Sequence, residues 1–206
     1  METSGQALSK HKSVKFLALG DSYTIGESVA EAQRWPAQLV SALMLKGFAC
    51  HQPEIVAVTG WRTDELKKGI SNSHLTNDYS LVSLLIGVNN LFQGKSTSAY
   101  ETEFAELLEM AITCAEGNGS GVFVLSIPDY GYTPFGKANQ SAISKGIDAF
   151  NEVNKRLSQK MGVTYINITD ISRIGLEDPE LVADDGLHPS GKMYALWVER
   201  ILEVIR

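Results

Sequence analysis

The sequence is poor in the residues that staple or anchor a chain. Its only cysteines, Cys50 and Cys114, stand in no Cys-x-x-Cys arrangement. A disulfide framework and a cysteine-built zinc site are therefore not expected. No run approaches the ~20 apolar residues that a membrane-spanning helix needs, so no integral membrane segment is expected either. Positive charge is in short supply, with 18 Lys and Arg against 24 Asp and Glu and a formal net charge of -6. Such a chain lacks the broad basic face that grips nucleic acid or anionic membrane. Residues 1–12 (METSGQALSKHK) lack the apolar core of a secretory signal, and the chain reads as cytoplasmic. No internal repeat, low-complexity tract or Pro/Gly/Ser-rich linker divides the sequence. Residues 13–206 are expected to form one domain behind a poorly ordered extension at 1–12.

The composition itself is that of a globular protein, 44% apolar and 20% charged in a chain of 206 residues. At this size folding buries roughly 70% of the unfolded chain's surface, enough for a core without metals or cross-links. Short runs rich in Val, Ile and Leu recur at 14–19, 54–58, 81–86, 122–127 and 163–168. Each reads as a strand buried on both faces of a parallel sheet. Segments with helical spacing of apolar residues occur at 35–45, 99–115, 142–161 and 191–205. The alternation predicts an α/β fold, a three-layer α/β/α sandwich around a central parallel sheet of about five strands, flavodoxin-like in outline. In such sheets ligands bind beyond the carboxyl ends of the strands.

Glycine-containing polar loops stand at those ends. Gly20-Asp21-Ser22-Tyr23-Thr24-Ile25-Gly26 follows the first strand, Thr59-Gly60-Trp61-Arg62-Thr63 the second and Gly87-Val88-Asn89-Asn90 the third. Asp184-Asp185-Gly186-Leu187-His188-Pro189-Ser190 follows the fifth after a linking stretch. A serine hydroxyl becomes a useful nucleophile only when a base takes its proton and a third group holds that base. Of the four histidines, His11, His51, His74 and His188, only His188 has a carboxylate three residues before it in a short turn. Asp184 is the neighbouring alternative to Asp185, and Ser190 suits the N-cap of the last helix. Each block alone has an ordinary explanation. Serine after Gly-Asp commonly caps a helix, Asp-x-x-His commonly makes a local hydrogen bond, and Asn89 and Asn90 suit a turn. Four blocks in fixed order at one sheet edge weigh more than any one of them.

Together these blocks resemble the SGNH hydrolases, also called the GDSL esterase/lipase family, from residue 20 to residue 188. The resemblance implies a serine esterase or lipase that cleaves carboxylic ester bonds without cofactor or metal. It places the nucleophile on Ser22 and the rest of a triad on His188 and Asp185, whose spacing matches the family block. It places an oxyanion hole on the Ser22 and Gly60 backbone N–H groups and the Asn89 side chain. The absence of Gly-x-Ser-x-Gly separates the chain from the α/β-hydrolases. Two positions depart from the family pattern: Tyr23 stands for leucine, and Asn90 for the aspartate that commonly follows the asparagine. The expected partner is a small-molecule ester with an acyl or acetyl group, sugar and lysophospholipid esters included. Two other readings compete. Asp21, Asn89, Asp185 and His188 are also possible ligands of a metal-dependent phosphoesterase, and Ser22–Gly26 a cradle for phosphate or flavin in a flavodoxin-like module. Aromatic residues after strand ends, Tyr23, Trp61, Phe92, Tyr130, Tyr132 and Phe135, are candidate pocket walls, with core packing or loop anchoring the more ordinary role for most of them. Residues 127–136 are expected to form a substrate-side loop.

Overall fold

The computed structural model describes residues 13–205, and the extension expected at 1–12 lies outside the described residues. The strands are β1 (Phe16–Gly20), β2 (Glu54–Ala57), β3 (Leu81–Leu85), β4 (Val122–Leu125) and β5 (Thr164–Ile166). They form one sheet in the order β2-β1-β3-β4-β5, and every pairing is parallel. β1 and β3 are buried at every position. With helices on both faces, neither strand has a solvent side, which is why their sequences run apolar without alternation. The strands are one to three residues shorter than the apolar runs. Val14 makes only an isolated bridge to Cys50, and just past β4 the Ser126 hydroxyl accepts from Ile168 N–H at 2.7 Å and Thr169 N–H at 3.0 Å.

The helices are α1 (Ser22–Ile25), α2 (Trp35–Leu45), α3 (Thr63–Asn72), α4 (Val88–Phe92), α5 (Thr97–Cys114), α6 (Gln140–Lys160), α7 (Thr169–Ser172) and α8 (Gly191–Val204). The four long segments with helical spacing are α2, α5, α6 and α8. Sequence periodicity missed α3, because Leu66 and Ile70 are its only buried apolar residues and the rest of its turns are polar. A start signal was nonetheless there: acids at Asp64 and Glu65 favour a first turn, and Glu65 Oε2 accepts from Arg62 N–H at 3.0 Å.

From β1 the chain moves outward to β2, then crosses back over β1 to β3 and continues to β4 and β5. Right-handed crossovers therefore set α2 on one face and α3, α5 and α6 on the other. α8 packs on α2, and α5 packs between α3 and α6. Trp35 lies against Phe16 and Phe123, with ring centroids 5.9 and 6.3 Å apart. On the opposite face Tyr100 stacks on Phe150 at 4.3 Å, joining α5 to α6. Burial of each such ring stabilises the fold by roughly 1.5–3 kcal/mol. The reversal of strand order opens a crevice between the carboxyl ends of β1 and β3. That crevice is where the loops converge.

Gly20, the last residue of β1, faces this crowded edge. A Cβ built there would lie 2.1 Å from Thr24 Oγ1 and 2.5 Å from the Leu85 carbonyl oxygen. The carbonyl belongs to a paired strand and cannot swing aside. Gly20→Ala should therefore destabilise the protein by about 1–3 kcal/mol through overpacking. Urea unfolding measures this directly, and an unchanged midpoint would contradict it.

Candidate active site

Ser22 is the first residue of α1 and 4% exposed. Two groups hold its turn: Asp21 Oδ1 accepts from Tyr23 N–H at 3.1 Å, and Gly26 ends the helix in the left-handed conformation at φ 72°. The Ser22 carbonyl accepts from Gly26 and Glu27 N–H, both at 3.0 Å. As a helix-opening residue, Ser22 has a backbone N–H without a partner inside the helix.

His188 comes from the loop before α8. Its Nδ1 lies 2.6 Å from Asp185 Oδ2. Because an ionised carboxylate only accepts, Nδ1 is the donor in this contact, and in the neutral imidazole the lone pair falls on Nε2. Asp185 is fully ligated. Oδ1 accepts from the N–H of Leu187 and of His188, each at 2.9 Å, and Oδ2 accepts from His188 and from the Ser28 hydroxyl at 2.6 Å. Partial burial alone would raise its carboxyl pKa, but the Ser28, His188 and backbone donors outweigh it and hold the group well below the usual carboxylate range. Asp184, the alternative acid, is exposed and lines a groove with Ser28 and Glu180.

Asn89 lies in the first turn of α4, whose N-cap Gly87 sits at φ 130°. Its Nδ2 donates to the Trp61 carbonyl at 3.0 Å, which fixes the plane of the amide. Gly60, one residue before Trp61, adopts φ 86°, a conformation that favours glycine. The loop that carries it is tied to the serine loop by the Thr59 hydroxyl, which donates to the Glu27 carboxylate.

One cavity of about 110 Å³ joins these parts, lined by Ser22, Tyr23, Val88, Asn89, Phe92, Tyr130, Phe135, Leu187 and His188. Ser22, Asn89 and His188 thus face a common space, with Asp185 behind His188. Gly60 is not part of the lining. Four of the six candidate wall aromatics line the cavity, and Tyr130 and Phe135 come from the 127–136 loop. Trp61 lies instead over α3, so close to Gly69 that a Cβ there would meet its ring at 2.4 Å. Tyr132 also lies away from the cavity.

Residues 18–196 match the family model described as GDSL-like Lipase/Acylhydrolase family. The chain belongs to this family. It is accordingly an esterase of the GDSL type. Among solved structures, a member of the lipolytic G-D-S-L family from Veillonella parvula superposes with a TM-score of 0.73 at 16% identity, covering 93% of this chain and 97% of that one. A lipase/acylhydrolase from Enterococcus faecalis gives 0.71 at 18%, covering 92% and 94%. Axe2, an acetylxylan esterase from Geobacillus stearothermophilus, gives 0.71 at 16%, covering 94% and 96%. At such identities the likeness is one of fold. A search of curated proteins gives no match.

Within the GDSL-like frame, Asn90 has a local explanation. Its Oδ1 accepts from the Thr63 N–H at 3.1 Å, an otherwise orphaned donor at the start of α3. Its Nδ2 donates to Thr63 Oγ1 at 2.6 Å, and that hydroxyl donates in turn to the Glu103 carboxylate. An aspartate at 90 has no N–H to complete this chain. Asn90 is therefore more than a turn former.

Asp21, a ligand in the phosphoesterase reading, is fully buried as the cap of α1. Among the described residues, no group of three or more His, Cys, Asp or Glu is arranged to hold a metal ion. The Ser22–Gly26 segment, the candidate phosphate cradle, is a single helical turn in which Ser22 faces the cavity with His188. Burial pushes the Asp21 carboxyl up to about 7, against the downward pull of the Tyr23 N–H. Its Oδ2 has no hydrogen-bond partner.

An unfolded Asp21 ionises near 3.8 and the folded one near 7, so folding favours the protonated form. The stability this gives is fully present below the unfolded pKa and is lost as pH rises through the folded one. Asp21→Asn keeps the oxygen that serves Tyr23 and removes the titration. In thermal unfolding, the Tm of the parent minus that of the variant should fall steadily from pH 4 to pH 8. A pH-independent difference would contradict the buried-acid account.

Proposed function

We propose that this esterase cleaves carboxylic esters of small acyl groups, with Ser22 as nucleophile, His188 as general base and then acid, and Asp185 holding His188. The observation that carries the reading is the 2.6 Å contact between His188 Nδ1 and Asp185 Oδ2, at a histidine that shares one cavity with Ser22. The base in this reading is Nε2, whose lone pair is set by the proton on Nδ1.

In the first half-reaction Ser22 Oγ attacks the ester carbonyl carbon while Nε2 takes the hydroxyl proton. The carbonyl π electrons move to oxygen and form a tetrahedral oxyanion. Collapse re-forms the carbonyl and breaks the bond to the alcohol, which leaves with the proton from Nε2. Water then attacks the acyl-serine in the same way, giving the carboxylic acid and free Ser22. The oxyanion hole of this reading comprises the Ser22 N–H, the Gly60 N–H and the Asn89 amide. Supporting it, the Trp61 carbonyl binds one Asn89 N–H and leaves the amide a second, and Asn89 lines the cavity beside Ser22. The cavity walls Val88, Phe92, Tyr130, Phe135 and Leu187 are suited to an apolar acyl group. At about 110 Å³ the cavity is smaller than most ligand pockets, which favours small acyl groups.

The test is steady-state hydrolysis of p-nitrophenyl acetate. Ser22→Ala and His188→Ala should each remove nearly all activity, and the double variant should lose little more, because such groups act as a unit. Asp185→Asn should be severe but milder. Asn89→Ala should lower kcat by about 10²–10³ with little change in KM, since its amide bonds the oxyanion more strongly than the ground-state carbonyl. Full activity in Ser22→Ala, or an Asn89 effect confined to KM, would refute the corresponding assignment.

A further inference from the structure

Ser28 lies six residues after Ser22, in the turn that leaves α1. It is exposed, and its backbone stands at φ 66°. A non-glycine residue in the left-handed region is uncommon, and such strain collects where a structure needs a particular geometry. Among the described residues only Glu116 shares this property, in the turn after α5. What Ser28 makes from that position is a 2.6 Å hydrogen bond to Asp185 Oδ2, across 157 residues of sequence. The same oxygen receives His188 Nδ1.

The bond is a brace between two loops. On one side the chain returns from Ser28 through Glu27 and Gly26, whose N–H groups are bonded to the Ser22 carbonyl. On the other side Asp185 holds His188. The serine loop and the acid loop are thus tied at a point behind the imidazole. Ser28 faces the open groove that it shares with Asp184, Glu180 and Ser190, and does not line the cavity with Ser22 and His188. It is not part of the wall that a substrate in that cavity meets. The bond is charge-assisted and adds to stability as well, but its place behind the imidazole gives it control of geometry.

We infer that Ser28 is a positioning residue for ester hydrolysis, which fixes Asp185 and through it the alignment of His188 with Ser22. The inference rests on the serine-hydrolase reading above. Loss of the hydroxyl has two consequences. Asp185 and the imidazole gain freedom, and small misplacements of a catalytic group lower kcat strongly. Asp185 also presents more of its charge to His188, which favours the imidazolium and delays the appearance of the neutral base as pH rises. The ionisable groups around His188 and Asp185 include the Tyr23 phenol from α1, the Tyr130 phenol and the Asp129 carboxylate from the loop after β4, the latter paired with Arg173, and the Tyr194 phenol from α8, which feels the charge of Asp185; burial raises all three phenols. Asp21 is the buried N-cap of α1, and Asp184 is on His188's own loop. All of them are common to every variant below.

The experiment compares Ser28→Ala, Ser28→Gly and Ser22→Ala with the parent on p-nitrophenyl acetate, recording kcat, KM, Tm and the pH profile of kcat/KM. Ala keeps the strained backbone and removes the hydroxyl; Gly relieves the strain and removes the hydroxyl. Both should lower kcat by roughly ten- to a hundredfold, leave KM nearly unchanged and move the acid limb to higher pH. Gly should restore or raise Tm without restoring kcat. Parental kcat and an unmoved limb in Ser28→Gly would overturn the positioning role, because only the backbone would then matter. With Ser22→Ala inactive, that outcome leaves the serine-hydrolase reading standing. A fully active Ser22→Ala would remove that reading, and the inference with it.

Discussion

All five strands run in one direction, so every strand delivers its following loop to the same edge of the sheet. The chain leaves β1 toward β2 and later returns past it to β3, so the loops after β1 and β3 are neighbours with no helix between them at their mouths. The cavity forms there, with Ser22 and Tyr23 from the first loop and Val88, Asn89 and Phe92 from the second. α8, packed on α2, brings the acid–histidine loop to the same crevice from the far end of the chain. Without parallel pairing these groups would be split between two edges. The apolar strands that enforce it, buried on both faces, are thus a precondition for the chemistry.

The loops are shaped by backbone conformations that few residues tolerate and by polar groups that have little solvent. Gly20 permits the approach of Thr24 and the Leu85 carbonyl, and Gly87 turns the chain at φ 130°. Asp21 caps α1 from a fully buried position that disfavours its own charge. Asn90, Thr63 and Glu103 form a relay that joins α4 to α3 and α5 behind the Asn89 turn. These devices hold loops that have no ladder of their own. Several of them lower stability when taken alone, and the surrounding core offsets that loss.

The strands were legible because burial on both faces makes them continuous apolar runs, and α2, α5, α6 and α8 because their apolar stripes are long. α3 was not, since two buried apolar residues in ten do not make a period. Ser22, Asn89, Asp185 and His188 were legible as blocks after strands, and the preference for Asp185 over Asp184 agrees with its contact to His188. Gly60 stands in the same kind of block, outside the cavity lining and at a positive φ that favours glycine. Trp61 and Tyr132 looked like pocket walls because their loops follow strands, but a loop position does not specify which way a ring turns. Ser28 was illegible in principle. Its partner is 157 residues away, and a serine in a turn carries no mark of a distant carboxylate.

The central claim is that one hydroxyl, that of Ser22, is made nucleophilic by His188. It is tested most directly by a serine-directed fluorophosphonate followed by intact mass measurement and peptide mapping. The account predicts a single phosphonyl adduct on Ser22, loss of esterase activity in proportion to labelling, and much slower labelling in His188→Ala. Inactivation with the adduct on another residue, or full activity in a protein labelled at Ser22, would contradict it.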